Sequence, residues 1–117
     1  MKKTLSALGT SALLLLAACS GGGSNAELSP ADAVLVDGQP VKRFFAQNCS
    51  ACHGTQREGR VGPALTPDRL TQDDAFYADT IANGRSGTAM PAWSSKLDTG
   101  DIDALVHWLK TTDPGGN

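Results

Sequence analysis

The fold of this chain can be predicted outward from one stretch, Cys49-Ser50-Ala51-Cys52-His53. A C-x-x-C-H run is typical of the covalent attachment of a c-type haem. Two thiols one helical turn apart can each add to one of the two vinyl groups of a single porphyrin. The next residue, His53, is then held beneath the ring, where its imidazole can bind the iron as an axial ligand. The spacing therefore predicts covalent haem attachment through Cys49 and Cys52, with His53 as the proximal ligand.

Three other interpretations of this run were weighed. A zinc site could use Cys49, Cys52, His53 and His107, but zinc ligands usually come in two spaced pairs, and three of these four lie within five residues. A thioredoxin-like redox pair expects a β-α-β context, and the sequence has no strand-rich stretch. A structural disulfide across Cys-x-x-Cys would close a very short, strained loop.

The second axial ligand is predicted to be Met90, which lies 37 positions after His53. A thioether is a good ligand for haem iron opposite histidine. Residues 85–93 read as a helix-free loop in which Gly87 and Pro91 restrict the backbone around Met90. A methionine considered alone is more often core filler, and the haem motif is what favours the ligand role.

The N-terminal segment predicts export and lipid attachment. Residues 1–18 have a basic start and an apolar run too short to span a bilayer, as in a signal peptide. The run ends in Leu16-Ala17-Ala18-Cys19, which resembles a bacterial lipobox and implies that Cys19 is lipidated and becomes the first mature residue. The alternative is ordinary secretory cleavage with Cys19 as a spare thiol. By the sorting pattern of Gram-negative lipoproteins, Ser20 resembles an outer-membrane address, with the chain facing the periplasm. In a Gram-positive host the lipid would hold the chain outside the plasma membrane.

Length and charge set further bounds. The 117 residues suffice for one small domain, which we place at residues 37–112, between a flexible tether at 19–36 and a tail at 113–117. Without residues 1–18, eight basic and twelve acidic side chains remain, a formal charge of −4. Nucleic-acid binding is therefore disfavoured. The sequence has only six aromatic residues, so we expect the haem to replace part of the core.

The predicted elements are helices. One is expected from Gln39 to about Asn48, a second from Thr71 to about Asn83 with Gly84 at its end, and a third over residues 98–110. The third has an Asp98 cap and an apolar stripe that consists of Ile102, Leu105, Val106 and Leu109. His107 falls off this stripe and is expected to face solvent.

Residues between the helices are expected to surround the haem. The segment 54–67 is predicted to be a loop, in which Pro63 could offer its carbonyl to the free ring N–H of His53 or could be a simple turn proline. Trp93 could cover the haem pocket or donate to a propionate. Arg57, Arg60 and Arg85 could border the haem face, or be scattered solvated side chains.

Over nearly all of residues 37–112 the chain resembles the class I, mono-haem c-type cytochromes. That resemblance rests on the haem motif, Gly62-Pro63, Met90-Pro91 and the final helix. It implies an all-α, small cytochrome c fold of three to four short helices around one covalent haem. It also implies that Phe45 packs on Trp108, although Val41 stands where the family commonly has Gly.

A narrower resemblance concerns the loops. Residues 53–60, Ala64-Leu65-Thr66-Pro67 and 89–93 are similar to the haem-c domain of nitrite reductases that also carry haem d, and to the small cytochromes that accompany them. Because His53 and Met90 would fill both axial positions of the iron, we expect an electron carrier rather than an enzyme, a monomer that is tethered to the membrane by its lipid and meets redox proteins at the exposed haem edge. The narrower resemblance implies a place in denitrification. Two alternatives remain, namely a haem enzyme or gas-binding protein with a labile Met90, and a non-shuttling subunit or assembly factor of a reductase or oxidase.

Overall fold

The computed structural model describes residues 33–115, which contain four helices and one very short hairpin. In chain order the elements are β1 (Leu35–Val36), β2 (Gln39–Pro40), α1 (Val41–Asn48), α2 (Ser50–His53), α3 (Asp74–Asn83) and α4 (Thr99–Thr111). The predicted all-α fold is thus confirmed, with the hairpin as an addition. No helix within residues 33–115 is long and apolar enough to cross a membrane.

The hairpin was not predicted. Asp37 and Gly38 have φ values of 52° and 69°, the left-handed conformation that a tight two-residue hairpin turn requires. The strands β1 and β2 pair antiparallel. We had expected a helix to begin at Gln39, but Gln39 and Pro40 form β2 instead. Val36 is fully buried, so the packed core includes a residue on the tether side of the boundary expected at residue 37.

Helices α1 and α2 follow each other directly and deliver the C-x-x-C-H run. One face of α1 is buried through Val41, Phe44 and Phe45. The chain bends at Cys49, whose φ of −118° interrupts the helix, and α2 then carries Ser50 to His53. Gly54, with a φ of 85°, ends α2, a conformation that favours glycine. The haem motif therefore occupies a rigid, short helix fixed by the packing of α1.

Helix α3 starts later than predicted. Its N-cap is Asp73, whose carboxylate accepts a hydrogen bond from Phe76 N at 2.8 Å, so the expected start at Thr71 is wrong by three residues. Gly84 ends the helix with a φ of 70°, as expected. Only Ile81 of α3 is buried, and Phe76 is 46% exposed.

Helix α4 agrees with the sequence pattern. Asp98 caps it by accepting from Asp101 N at 2.8 Å. Its buried face consists of the four predicted stripe residues and Trp108. The rings of Phe45 and Trp108 lie 5.6 Å apart, which confirms the expected crossing of the first and last helices. His107 is exposed, also as expected.

The core joins the hairpin, α1, α3 and α4. Its buried apolar members are Val36, Val41, Phe44, Phe45, Leu70, Ile81, Leu97, Ile102, Leu105, Val106, Trp108 and Leu109. The hairpin is tied to α4 by a hydrogen bond from Asp37 N to Asp101 Oδ1 at 3.0 Å. Beside this core the helices leave a large apolar cavity.

Candidate haem site

The cavity has a volume of about 270 Å³ and brings together the residues predicted to attach, ligate or cover the haem. Its walls include Cys49, Cys52, His53, Pro63, Met90 and Trp93. Cys19, the predicted lipid attachment site, lies outside the described residues. The sequence thus identified residues that are far apart in the chain yet line one space.

Cys49, which caps α2, and Cys52, which lies within it, are half-buried free thiols on the cavity wall. Burial, together with the neighbouring Cys52, raises the pKa of the Cys49 thiol to about 12. A raised thiol pKa reports an environment that disfavours charge. The wall around Cys49 is therefore apolar, as a surface that receives a porphyrin edge must be.

The imidazole of His53 is buried and held in one orientation. Its Nδ1 donates a hydrogen bond to the carbonyl oxygen of Pro63 at 2.8 Å, since a carbonyl oxygen can only accept. In a neutral imidazole this leaves Nε2 without a proton, which is the state that binds a metal. The carbonyl of Pro63 thus fixes both the tautomer and the direction of the ring.

The loop after α2 is folded back on the motif by backbone hydrogen bonds. Gly59 N donates to His53 O at 2.7 Å, and Gly62 N donates to Cys52 O at 2.8 Å. A Cβ atom on Gly62 would lie 2.7 Å from Cε1 of His53, closer than real contacts allow. Only glycine therefore lets the loop approach the imidazole closely enough for Pro63 to reach Nδ1.

The segment that carries Met90 is anchored to α3. Trp93 N donates to Ile81 O at 3.0 Å and Ser94 N donates to Ala82 O at 3.1 Å. Gly84 has Met90 O so close that a Cβ would lie 2.7 Å from it. Inside the segment, Met90 N donates to the hydroxyl of Thr88 at 3.2 Å. These contacts hold the half-buried Met90 against the cavity without any helix of its own.

Trp93 packs inside the site. Its ring meets that of Phe44 edge to face at 5.7 Å, and both rings line the cavity. This agrees with the expected role as a cover of the pocket. Apart from His53, Arg85 is the only basic residue among those that line the cavity in the described part of the chain.

Arg57 was expected either to border the haem face or to be solvated, and the structure shows neither. The side chain is only 2% exposed, and its guanidinium lies 4.5 Å from the centre of the Trp108 ring. Its Nη1 donates to Leu109 O at 3.1 Å, and Nη2 donates to Thr112 O. Burial lowers the pKa of Arg57, while the charge of Asp113 acts in the opposite direction. Arg57 is therefore neither a solvated surface arginine nor a residue of the haem face.

Two contacts in and beside the site were not predicted from the sequence. Gly62 was named as half of the Gly62-Pro63 pair that resembles the family, but its contact with His53 was not predicted, because that contact depends on how residues 54–63 fold back. Arg57 reaches carbonyl groups 52 and 55 positions later in the chain, for which no local pattern gives a signal.

The donor set suits haem better than zinc. Two thiols, an imidazole with its Nε2 free and a thioether surround one apolar space, and soft donors with imidazole are the ligands of haem iron. Within residues 33–115, no group of three or more His, Cys, Asp or Glu side chains could hold a metal ion. The exposed His107 thus does not join the cysteines, as the zinc interpretation required.

A small all-α domain with a C-x-x-C-H helix on the wall of an apolar cavity defines a haem-c domain of the cytochrome c type. Residues 37–109 match the family described as cytochrome c oxidase, cbb3-type, subunit III, and the chain belongs to this family. It is a family of electron-transfer proteins with covalently bound haem c. The chain carries this cofactor, for which Cys49 and Cys52 have the required spacing.

Known relatives agree with the fold. Cytochrome c55X of Stutzerimonas stutzeri is 47% identical over 71 residues, which are 59% of this chain and 62% of that protein. Dihydro-heme d1 dehydrogenase of Pseudomonas aeruginosa is 37% identical over 76 residues, 64% of this chain and 15% of that protein. A solved structure of the c-type cytochrome NirC has 35% identity and a TM-score of 0.58, covering 60% of this chain and 84% of that one. The chain thus spans less than two thirds of the length of these two curated relatives.

Proposed function

We propose that this chain is a mono-haem electron carrier in which His53 and Met90 are the two axial ligands of the iron. The observation that supports it most is that both ligands and both cysteines line the same apolar cavity. The haem supplies an iron that cycles between the ferrous and ferric states by one electron. Cys49 and Cys52 hold it through thioether bonds.

The surrounding residues keep the ligands still. Pro63 orients the imidazole of His53, and the contacts of residues 84–94 with α3 hold Met90. Trp93 and Phe44 add apolar rings to the wall of the same space. Outer-sphere electron transfer is fast when ligands move little between redox states, and two occupied axial positions leave no room for a substrate. These properties favour a carrier over a catalyst.

The proposed location is the periplasmic side of the outer membrane. Residues 1–18 would be removed and Cys19 lipidated, with the segment between Cys19 and strand β1 as the tether; nearly all of these residues lie outside those that the structure describes. Several acyl chains on one residue give stable anchoring. Fractionation of the full-length chain and of a Cys19→Ser variant tests this, because the variant is expected to leave the membrane fraction.

We propose redox proteins as the partners of a monomer, at the cavity mouth where the haem edge is exposed. The residues around the mouth include exposed Val61 and Phe76, which suit a transient apolar contact. Likeness to cytochrome c55X and to dihydro-heme d1 dehydrogenase supports a place in respiration that depends on haem d, as in denitrification. Co-purification from membranes identifies the partner.

A second candidate is a fixed subunit of a larger oxidase or reductase. The description of the family as an oxidase subunit favours it. A carrier should leave detergent extracts as a single chain, whereas a subunit should remain with larger polypeptides under the same conditions.

The ligand set is tested by the far-red absorption of the oxidised holoprotein. A weak methionine-to-ferric charge-transfer band is expected in the parent protein and should be lost in Met90→Ala. The matched control is Ala89→Gly, which changes the neighbouring exposed residue and leaves the thioether in place. Absence of the band from the parent protein would contradict the His53 and Met90 pair and favour an open haem that binds ligands.

A further inference from the structure

Arg57 is a buried cation that does not line the cavity and belongs to neither the thiols nor the axial ligands. It lies on the loop between His53 and Pro63, with Arg57 N donating to Gly54 O at 3.1 Å and Leu65 N donating to Arg57 O at 2.8 Å. Its φ of 60° is left-handed, which is uncommon for a residue with a side chain. The loop thus adopts a costly conformation that directs this side chain inward.

The guanidinium meets α4 at its C-terminal end. Its acceptors, Leu109 O and Thr112 O, belong to the last turn and cap of that helix, where a positive charge is favoured by the helix dipole. The same group stacks on Trp108, whose Nε1 has no hydrogen-bond partner in the part of the chain that the structure describes. Arg57 therefore connects the loop that orients His53 to the helix whose Leu105 and Leu109 line the cavity.

Neutral carbonyl groups and an aromatic face do not cancel the charge of Arg57. Asp113, the acidic residue that acts on it, is exposed, so its charge is screened by solvent. Arginine stays protonated even when it is buried. A permanent positive charge thus lies in a low-dielectric region next to the cavity wall, where charges interact more strongly than in water.

We propose that Arg57 is a positioning residue that also sets the reduction potential of the site. Its charge disfavours the additional positive charge of ferric iron and so raises the potential, while its hydrogen bonds tie the His53 loop to α4. This inference rests on the proposed function only in that the chain must carry a redox-active haem.

The test compares the reduction potentials of four holoproteins at neutral pH by spectroelectrochemistry. Arg57→Met removes the charge and the hydrogen bonds. Arg57→Lys keeps a positive charge but lacks the planar guanidinium group. Arg60→Met is the matched control, because it removes the same formal charge from an exposed position on the same loop. Unfolding by denaturant is measured on all four proteins.

We expect a lower potential for Arg57→Met, a potential near that of the parent for Arg57→Lys, and little change for Arg60→Met. Both Arg57 variants should unfold more easily than the parent. Equal potentials with reduced stability would overturn the electrostatic part of the proposal and leave Arg57 as a structural clamp. Because the far-red band of the parent reports Met90 independently, failure of the ligand proposal is recognised separately.

Discussion

At the scale of single residues, the haem site depends on a missing side chain as much as on its ligands. Gly62 has no positive φ, so its requirement is purely steric, and it lies under the ring of His53. Close approach here is what allows the hydrogen bond between His53 and Pro63. A ligand can thus be misplaced by a methyl group on a residue that binds nothing.

Gly62→Ala is expected to destabilise the holoprotein by about 1–3 kcal/mol, the usual cost of forcing extra atoms into a packed site. The added Cβ would stand 2.9 Å from Nδ1 of His53 and must displace either the ring or the loop. Denaturant unfolding followed at the haem absorption band measures the change. The control is Gly115→Ala, where a Cβ meets nothing within 4 Å. Equal unfolding free energies for the two variants would contradict the steric role of Gly62.

The residues of the site were predictable to the extent that their chemistry is local. Cys49, Cys52 and His53 lie in one motif, and Met90 was found because the described loops contain no other soft ligand of that kind. Arg57 was misjudged, since an arginine on a polar loop is usually solvated and its partners on α4 lie more than fifty positions away. A sequence pattern indicates the periodicity of neighbouring residues along the chain. It does not indicate contacts that form between distant parts of the chain after folding.

At the scale of elements, the helix bounds were predicted more accurately where the local sequence pattern is stronger. Helix α4 has a cap, a buried Leu97 before it and a continuous apolar stripe, so its bounds were predicted closely. Helix α3 buries only Ile81, which gives a weak period, and the choice between Thr71 and Asp73 as its cap could not be made from pattern alone. The hairpin was not predicted, although Asp37-Gly38 is a dipeptide typical of tight hairpin turns, because strands of two residues are too short to show an alternating pattern.

The cap of α4 should carry a measurable part of the stability. Asp98→Ala is expected to lower the free energy of unfolding by about 1 kcal/mol, because Asp101 N would lose its acceptor at the helix start. The control is Asp103→Ala, an exposed position of the same helix, for which a change within about 0.5 kcal/mol is expected. Denaturant titration at fixed pH compares the two. Similar losses would mean that overall charge, rather than the cap, is responsible.

At the scale of the whole molecule, the helices pack around the cavity more than they pack against one another. The four helices have 8, 4, 10 and 13 residues, lengths at which isolated helices are marginal in water. Direct packing of the first helix on the last rests on Phe45 and Trp108, and α3 packs on α4. The remaining apolar surface of α1, α3 and α4 faces the cavity, so the haem provides their common contact.

Removal of the haem should therefore unfold most of the domain. A Cys49→Ala/Cys52→Ala double variant cannot form the thioether bonds, and its cavity walls would be exposed to water, at a cost of about 25 cal/mol for each Å² of apolar surface. We expect it to lose most of the helical far-UV circular dichroism of the parent holoprotein and to show no cooperative thermal transition. A Cys52→Ala single variant, which retains one thioether bond, is the matched control and should keep its helices. A helical double variant that melts cooperatively without haem would mean that the core of the protein is sufficient, and that the haem fills a preformed cavity instead of completing the fold.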